Sequence, residues 1–399
     1  MKRILSLFLA VLTLVAVVLG TSSCTLAGTG TGSDTVSGNV NLVGGDTYNV
    51  TINDPPASTA SAAAKAMLSA VSITSAYTMG SGGIGYQYGS GVIYKMDAAR
   101  STAYLVTNYH VVYNATYGIS QNIGVFLYGK ESADYAIKAE YIGGSMYYDI
   151  AVLKIQNSRT LMESEAVAAT FANSDEMSLL DTVIAVGNAS GKGLSATVGH
   201  INVDSEYINL IAADDRTQTT IRVMRTDAAV NPGNSGGGLF NVRGEVIGIV
   251  NAKSSDDSID NIGYAIPSNV AKSIVENLIY YCDGTDKTCV YRCMLGITIK
   301  STNLTSHYDP ATGRITKSED VIVESTTPDT AGATYFQTSD IIKSITVNGV
   351  TTSVTRRHHV IDAMLVVREG MTVSFTVNRG GTDVSFSITT NASMLEAYI

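Results

Sequence analysis

Charge is scarce in this chain. Asp, Glu, Lys and Arg make up 15% of its 399 residues, and the balance is acidic at -9. A duplex nucleic acid is held by a basic face that displaces counterions, so this balance argues against nucleic acid as a partner. Long apolar runs are also lacking. Ile4–Leu19, broken only by Ser6 and Thr13, is short for a membrane span of about 20 residues. Lys and Arg are absent from residue 25 to about residue 62, and the chain holds only five histidines and four cysteines. What is plentiful is Gly, Ser, Thr and Val, within a sequence that is 45% apolar. That composition supports sizeable cores and suits an all-β protein with many turns, and the length implies two or three domains.

The first residues are targeting material. Lys2 and Arg3 form a positive n-region ahead of the apolar run, which is long enough for a signal h-region. Thr21-Ser22-Ser23-Cys24 is similar to a bacterial lipoprotein cleavage site, with Cys24 as the acylated residue; Thr21 stands where such sites usually have Leu. An uncleaved anchor and ordinary cleavage are the alternatives, and all three export the chain. Residues 1–24 are therefore read as signal peptide and 25–62 as a flexible tether. Within the tether, alternation around Gly44-Gly45-Asp46 is hairpin-like, and an isolated hairpin is marginal in water. Cys282, Cys289 and Cys293 lie close together in a linker, 282–293. Export permits a local disulfide, and plain thiols are the other reading. Zinc is disfavoured, because no histidine lies near to complete a ligand set.

From about Ala66 to Ile266 short β signals recur in two runs, split near residues 157–178, which predicts two small β-barrels. Pro267-Ser268-Asn269 opens a helix that carries Val270, Ile274 and Leu278 on one face. A second unit begins near Met294, with strands at 295–299, 321–324, 341–347, 371–377 and near 384–388, and one helix around 356–367. Its Arg356-Arg357-His358-His359 run reads as a solvated helix face rather than a basic patch.

The chemistry concentrates in Asn231-Pro232-Gly233-Asn234-Ser235-Gly236-Gly237-Gly238. A serine framed by glycines and bracketed by strands sits where the backbone turns sharply. Its hydroxyl needs a neighbouring base to become a nucleophile, and N–H groups aimed at the developing oxyanion. The donors expected are in Gly233, Asn234 and Ser235, chiefly the amides of Gly233 and Ser235. Of the histidines, His110 ends a strand in Thr107-Asn108-Tyr109-His110. His200 lies within a strand pattern, and His307, His358 and His359 lie beyond the barrels. Asp149, ahead of Ile150-Ala151-Val152-Leu153, is the orienting carboxylate, since a charge at the mouth of a buried strand needs a partner. Asp134, in a polar turn, is the solvated rival.

These motifs, in order, resemble the HtrA/Deg family of trypsin-like serine proteases with a C-terminal PDZ domain. Thr226-Asp-Ala-Ala-Val-Asn-Pro-Gly-Asn-Ser-Gly-Gly and Gly263-Tyr-Ala-Ile-Pro-Ser join those already quoted, and the likeness covers about residues 66 to 390. Gly238 departs from the family's usual proline, and the cysteine cluster has no counterpart in the pattern. The resemblance implies a mostly β protein: a trypsin-like double six-stranded β-barrel over 63–281, then a small α/β PDZ domain over 294–392. It implies catalysis by Ser235, His110 and Asp149, with no cofactor and no metal. It also implies an S1 pocket near Ala229, Val250, Asn251 and Ala252. No acid stands at Ala229, so small or medium aliphatic side chains are expected there in place of Lys or Arg. Leu295, Gly296 and Ile297 are similar to a PDZ carboxylate-binding loop, which would take C-terminal or hydrophobic peptides. The implied activity is cleavage of misfolded or exposed protein segments outside the cytoplasm, at the cell membrane, by a homotrimer. A dedicated signalling protease and a chaperone-like module with a dormant protease site are the rival readings.

Overall fold

The computed structural model describes residues 35–41, 47–53, 58–80, 82–251, 262–285 and 287–398, the first two segments as backbone only. Cys24 and Ala252 lie outside the described residues. The chain divides into two units, 1–56 and 57–399. In the first, Thr35–Asn41 pairs antiparallel with Thr47–Asn53, setting Val40 opposite Tyr48.

The second unit opens with a helix, α1 (Thr59–Ser69), whose first four residues fall in the stretch expected to be tether. Three alanines in succession favour helix. The Ser58 hydroxyl accepts from the Ser61 amide at 3.1 Å, a cap worth about 1 kcal/mol. Ala62 and Ala66 are buried among the side chains packed between the barrels.

Two closed barrels follow, each of six antiparallel strands. The first is built from β1 (Ala70–Thr78), β2 (Ile84–Met96), β3 (Ala103–Thr107), β4 (Asn122–Leu127), β5 (Ile137–Ser145) and β6 (Ile150–Ile155), closing in the order β6-β3-β2-β1-β4-β5. The second uses β7 (Thr182–Gly187), β8 (Ser195–Ile211), β9 (Gln218–Thr226), β10 (Gly238–Asn241), β11 (Val246–Asn251) and β12 (Gly263–Pro267), in the order β7-β8-β9-β12-β11-β10. Closure leaves no exposed sheet edge. Ile73, Ile93, Leu105 and Leu153 fill the first barrel; Met224, Leu239 and Val250 fill the second. Between the barrels, Phe240, Val152 and Ile184 pack against α2 (Ser268–Cys282).

The chain then forms β13 (Val290–Cys293), inside the segment read as linker, and a sheet with a helix. The sheet runs β14 (Ile297–Asp309), β15 (Arg314–Thr326), β16 (Ile341–Val347), β18 (Thr372–Arg379), β19 (Thr382–Thr389), with β17 (Val350–Ser353) on β16. The helix is α3 (Arg357–Val366). A last strand, β20 (Leu395–Tyr398), lies beyond the expected boundary at 392 and pairs with β13. The β14–β15 hairpin is much longer than expected because it reaches the second barrel: Arg314 donates to the Glu176 carbonyl at 2.8 Å, and Lys317 meets Asp204 at 2.8 Å.

The run Arg356–His359 is not a solvated face. His358 is 5% exposed and turns Nε2 toward Asp175 Oδ1 at 3.5 Å, while Arg222 meets the same oxygen at 3.1 Å. Burial pushes the His358 imidazole down to about 4, against the opposing pull of Asp175. Burial works to raise Asp175, but the His358 hydrogen bond and the Arg222 charge outweigh it and hold the carboxyl well below the usual range. Cys282, Cys289 and Cys293 are free thiols, the first and last buried.

Candidate active site

β3 delivers His110 to the seam between the barrels. The chain leaves β3 at Thr107, whose hydroxyl donates to the Ser90 carbonyl at 2.7 Å. Asn108 then donates its side-chain amide to the Asp149 carbonyl at 2.8 Å, fastening the two segments together. The single helical turn Tyr109–Val112 presents the imidazole. His110 Nδ1 lies 2.7 Å from Asp149 Oδ2, and the His110 backbone N–H donates to Asp149 Oδ1 at 3.0 Å. With the carboxylate ionised, Nδ1 carries the proton and Nε2 keeps its lone pair, the tautomer a general base requires. Gln87 donates its side-chain amide to the His110 carbonyl.

Asp149 adopts a left-handed φ of 51° and is 8% exposed, so its conformation has to be imposed by neighbours. Asn251, from β11 of the other barrel, donates its side-chain amide to Asp149 Oδ2 at 3.0 Å. Asp134 is exposed, as its polar turn implied. His200 stands 3.8 Å from Asp227, and His307 is exposed in the β14–β15 hairpin; neither joins the His110–Asp149 pair.

Ser235 sits 5% exposed in the turn before β10. Its carbonyl accepts from the Ser90 amide at 2.8 Å, and Gly236 and Gly237 exchange hydrogen bonds with Val250 at 2.9 and 2.8 Å. Gly236 has φ 83°, and a Cβ there would lie 2.2 Å from the Ser90 carbonyl, so the turn closes only on glycine. Gly233 has φ 100°, and a Cβ would lie 2.3 Å from the Asn188 carbonyl. The Pro232 carbonyl accepts from the Ser190 amide at 2.8 Å. In a planar trans peptide the Gly233 N–H points the opposite way, away from the Ser190 segment.

Two expectations need correction. Asn234, expected among the oxyanion donors, gives its backbone N–H to the Asn231 carbonyl at 2.9 Å, because that bond closes the turn. Val250, expected in S1, is 1% exposed and packs in the second barrel's core beside Met224 and Ala265. Asn251, expected beside it, sends its side-chain amide to the Asp149 carboxylate. Ala229 is exposed, and its carbonyl accepts from the Thr197 hydroxyl at 3.0 Å.

Sequence reasoning missed Ser90. Its hydroxyl donates to the Gly233 carbonyl at 2.7 Å and accepts from the Asn188 amide at 2.8 Å, so one first-barrel side chain braces the whole serine turn. Gly89-Ser90-Gly91 was the available signal, a serine between glycines inside a strand.

In the C-terminal region, Leu295, Gly296 and Ile297 line a cavity of about 180 Å³ with Val360, Ile361 and Met364 of α3. The Leu295 carbonyl accepts from Gly332 at 2.6 Å and the Gly296 carbonyl from Thr327 at 2.8 Å. Each following amide therefore points the other way. Ile297 pairs with Thr326 through that same Thr327–Gly296 bond, so its own N–H faces the open edge of β14.

Two barrels with a His–Asp pair and a glycine-framed serine at their seam define a trypsin-like serine peptidase. The comparisons with known proteins support a protease of the HtrA/Deg type. Residues 89–249 match the trypsin-like peptidase domain. The chain is 38% identical over 192 residues to the serine protease Do-like HtrA of Bacillus subtilis (strain 168), covering 48% of this chain and 39% of that protein. It is 36% identical over 194 residues to the periplasmic serine endoprotease DegP of Escherichia coli (strain K12), covering 48% and 36%. The matches thus span well under half the length of these relatives. The structure of the HtrA-type protease AlgW with tripeptide superposes with TM-score 0.54 at 25% identity, over 85% of this chain and 97% of that one.

Proposed function

We propose that the chain is an exported serine endopeptidase acting on misfolded or exposed protein segments. The observation that carries this reading is the His110 Nδ1–Asp149 Oδ2 contact of 2.7 Å beside the Ser235 turn. Ser235 Oγ attacks the scissile carbonyl as Nε2 of His110 takes its proton. The Gly233 and Ser235 amides stabilise the oxyanion, and the imidazolium returns the proton to the leaving amine. Water then hydrolyses the acyl-enzyme with the same histidine as base.

The C-terminal cavity would bind a peptide terminus. The Gly296 and Ile297 amides, directed away from their bonded carbonyls, supply the carboxylate donors, and β14 offers an open edge for an added strand. This domain would tune cleavage. The name of the Escherichia coli relative, a periplasmic endoprotease, supports a location outside the cytoplasm. Attachment through Cys24 or the Ile4–Leu19 run, and assembly as a homotrimer, belong to the same proposal. Among the described residues no helix is long and apolar enough to cross a membrane.

The test is casein cleavage by the purified chain. Wild type should degrade it and Ser235→Ala should not; turnover retained in Ser235→Ala would sink the assignment.

A further inference from the structure

Asp149 is held on one side by His110, Asn108 and Asn251. On its other side it follows Tyr147-Tyr148, the tip of the β5–β6 turn, where Tyr147 is half-buried and Tyr148 buried. Tyr148 is 8% exposed. Its ring lies 5.0 Å from Tyr147 and 6.2 Å from Tyr398, and Tyr147 meets Tyr398 edge-on at 5.5 Å. Arg292 completes the cluster. Its guanidinium sits 4.2 Å over the Tyr398 ring, Nη1 donates to the Tyr148 hydroxyl at 3.1 Å, and Nη2 donates to the Tyr398 hydroxyl. Arg292 and Tyr398 come from β13 and β20, which pair with each other outside the barrels. A further tie runs from the Gly144 amide to the Thr288 carbonyl at 3.0 Å, fixing the end of β5 to the segment that leads into β13.

A left-handed aspartate persists only where its surroundings over-determine it. Aromatic edge contacts and a guanidinium stacked on a ring, partly desolvated, supply directional restraint of that kind. We infer that Tyr148, Arg292 and Tyr398 are positioning residues for Asp149: they clamp the turn behind the carboxylate so that Oδ2 stays within reach of His110. All three lie outside the Ser235, His110 and Asp149 group. Arg292 also lines the C-terminal cavity, so the clamp and the cavity share one side chain.

The inference rests on the peptidase reading, and its test separates the two. Full-length wild type, Arg292→Leu, Arg292→Lys, Tyr148→Phe and Tyr398→Ala are titrated to completion with a fluorophosphonate. Then kcat and KM are measured per titrated site on a peptide substrate, beside the thermal midpoint. A purely structural role lowers the number of titratable sites and leaves each one as fast as wild type. The clamp lowers the rate of each site: about 5- to 20-fold in Arg292→Leu and Tyr398→Ala with KM within about twofold, and about 2- to 5-fold in Tyr148→Phe. Arg292→Lys, which keeps the cation, recovers part of the loss. Per-site kcat within about twofold of wild type in Arg292→Leu and Tyr398→Ala overturns the clamp. If these two do not fold, unchanged per-site kcat in both Tyr148→Phe and Arg292→Lys overturns it. A wild-type chain that neither labels nor cleaves overturns the peptidase reading and the clamp with it.

Discussion

Asn251 of the second barrel donates its side-chain amide to Oδ2 of Asp149 in the first, at 3.0 Å. The same oxygen faces His110 Nδ1 at 2.7 Å, so the carboxylate that orients the imidazole is itself oriented across the seam. Removing a hydrogen bond to a buried charge costs about 1.5–3 kcal/mol. Asn251→Ala should therefore lower kcat about 10- to 100-fold with KM little changed. Steady-state kinetics on a peptide substrate measure it.

Asp149→Asn keeps the shape of the site but offers an amide where a carboxylate stood. Nδ1 of His110 is then no longer held as the donor, and the base is lost. A fall in kcat of about 10⁴-fold is expected, with the fold intact by circular dichroism.

Ser90→Ala removes the hydroxyl between the Gly233 carbonyl and the Asn188 amide and leaves both without that partner. Each buried group left unmade costs about 1–3 kcal/mol. The thermal midpoint should fall, and fluorophosphonate labelling should slow by more than the loss of folded protein explains, because the same turn carries Ser235. Labelling kinetics at a temperature where the variant remains folded separate the two effects.

The barrels were legible in the sequence because half-buried strands alternate, and the Ser235 turn because glycines mark it. The meeting of His110 and Asp149 followed from their places at strand ends. What stayed hidden lies in long-range contacts between residues that look ordinary alone. Ser90 is one serine among many until Gly233, 143 positions away, comes to rest on it. Asn251 read as a pocket wall because nothing local says that its amide crosses to Asp149. The first turn of α1 read as tether because Ala and Ser carry no apolar stripe; Ala62 and Ala66 are buried only because the barrels leave a groove that small residues fit. The basic run at 356–359 read as solvated because its acidic partners, Asp175 and Asp204, are more than 150 residues earlier.

That interface should be pH-sensitive. Burial pushes the His358 imidazole down to about 4 from its ordinary value of 6.5. Between these values the unfolded chain binds a proton that the folded chain does not, so this group's contribution to stability is lost as pH falls. His358→Gln does not titrate. The stability advantage of wild type over this variant should therefore shrink from pH 6.5 to pH 4 by about 2 kcal/mol. Urea unfolding of both proteins across that window measures the difference, and a constant gap would contradict it.

The most direct test of the central claim is to locate covalent labelling. Wild-type chain treated with a fluorophosphonate should carry one adduct, assigned by peptide mass spectrometry to Ser235, and His110→Ala and Asp149→Asn should label far more slowly. No adduct on folded wild type, an adduct on another serine, or labelling at Ser235 that is indifferent to His110 would contradict the account.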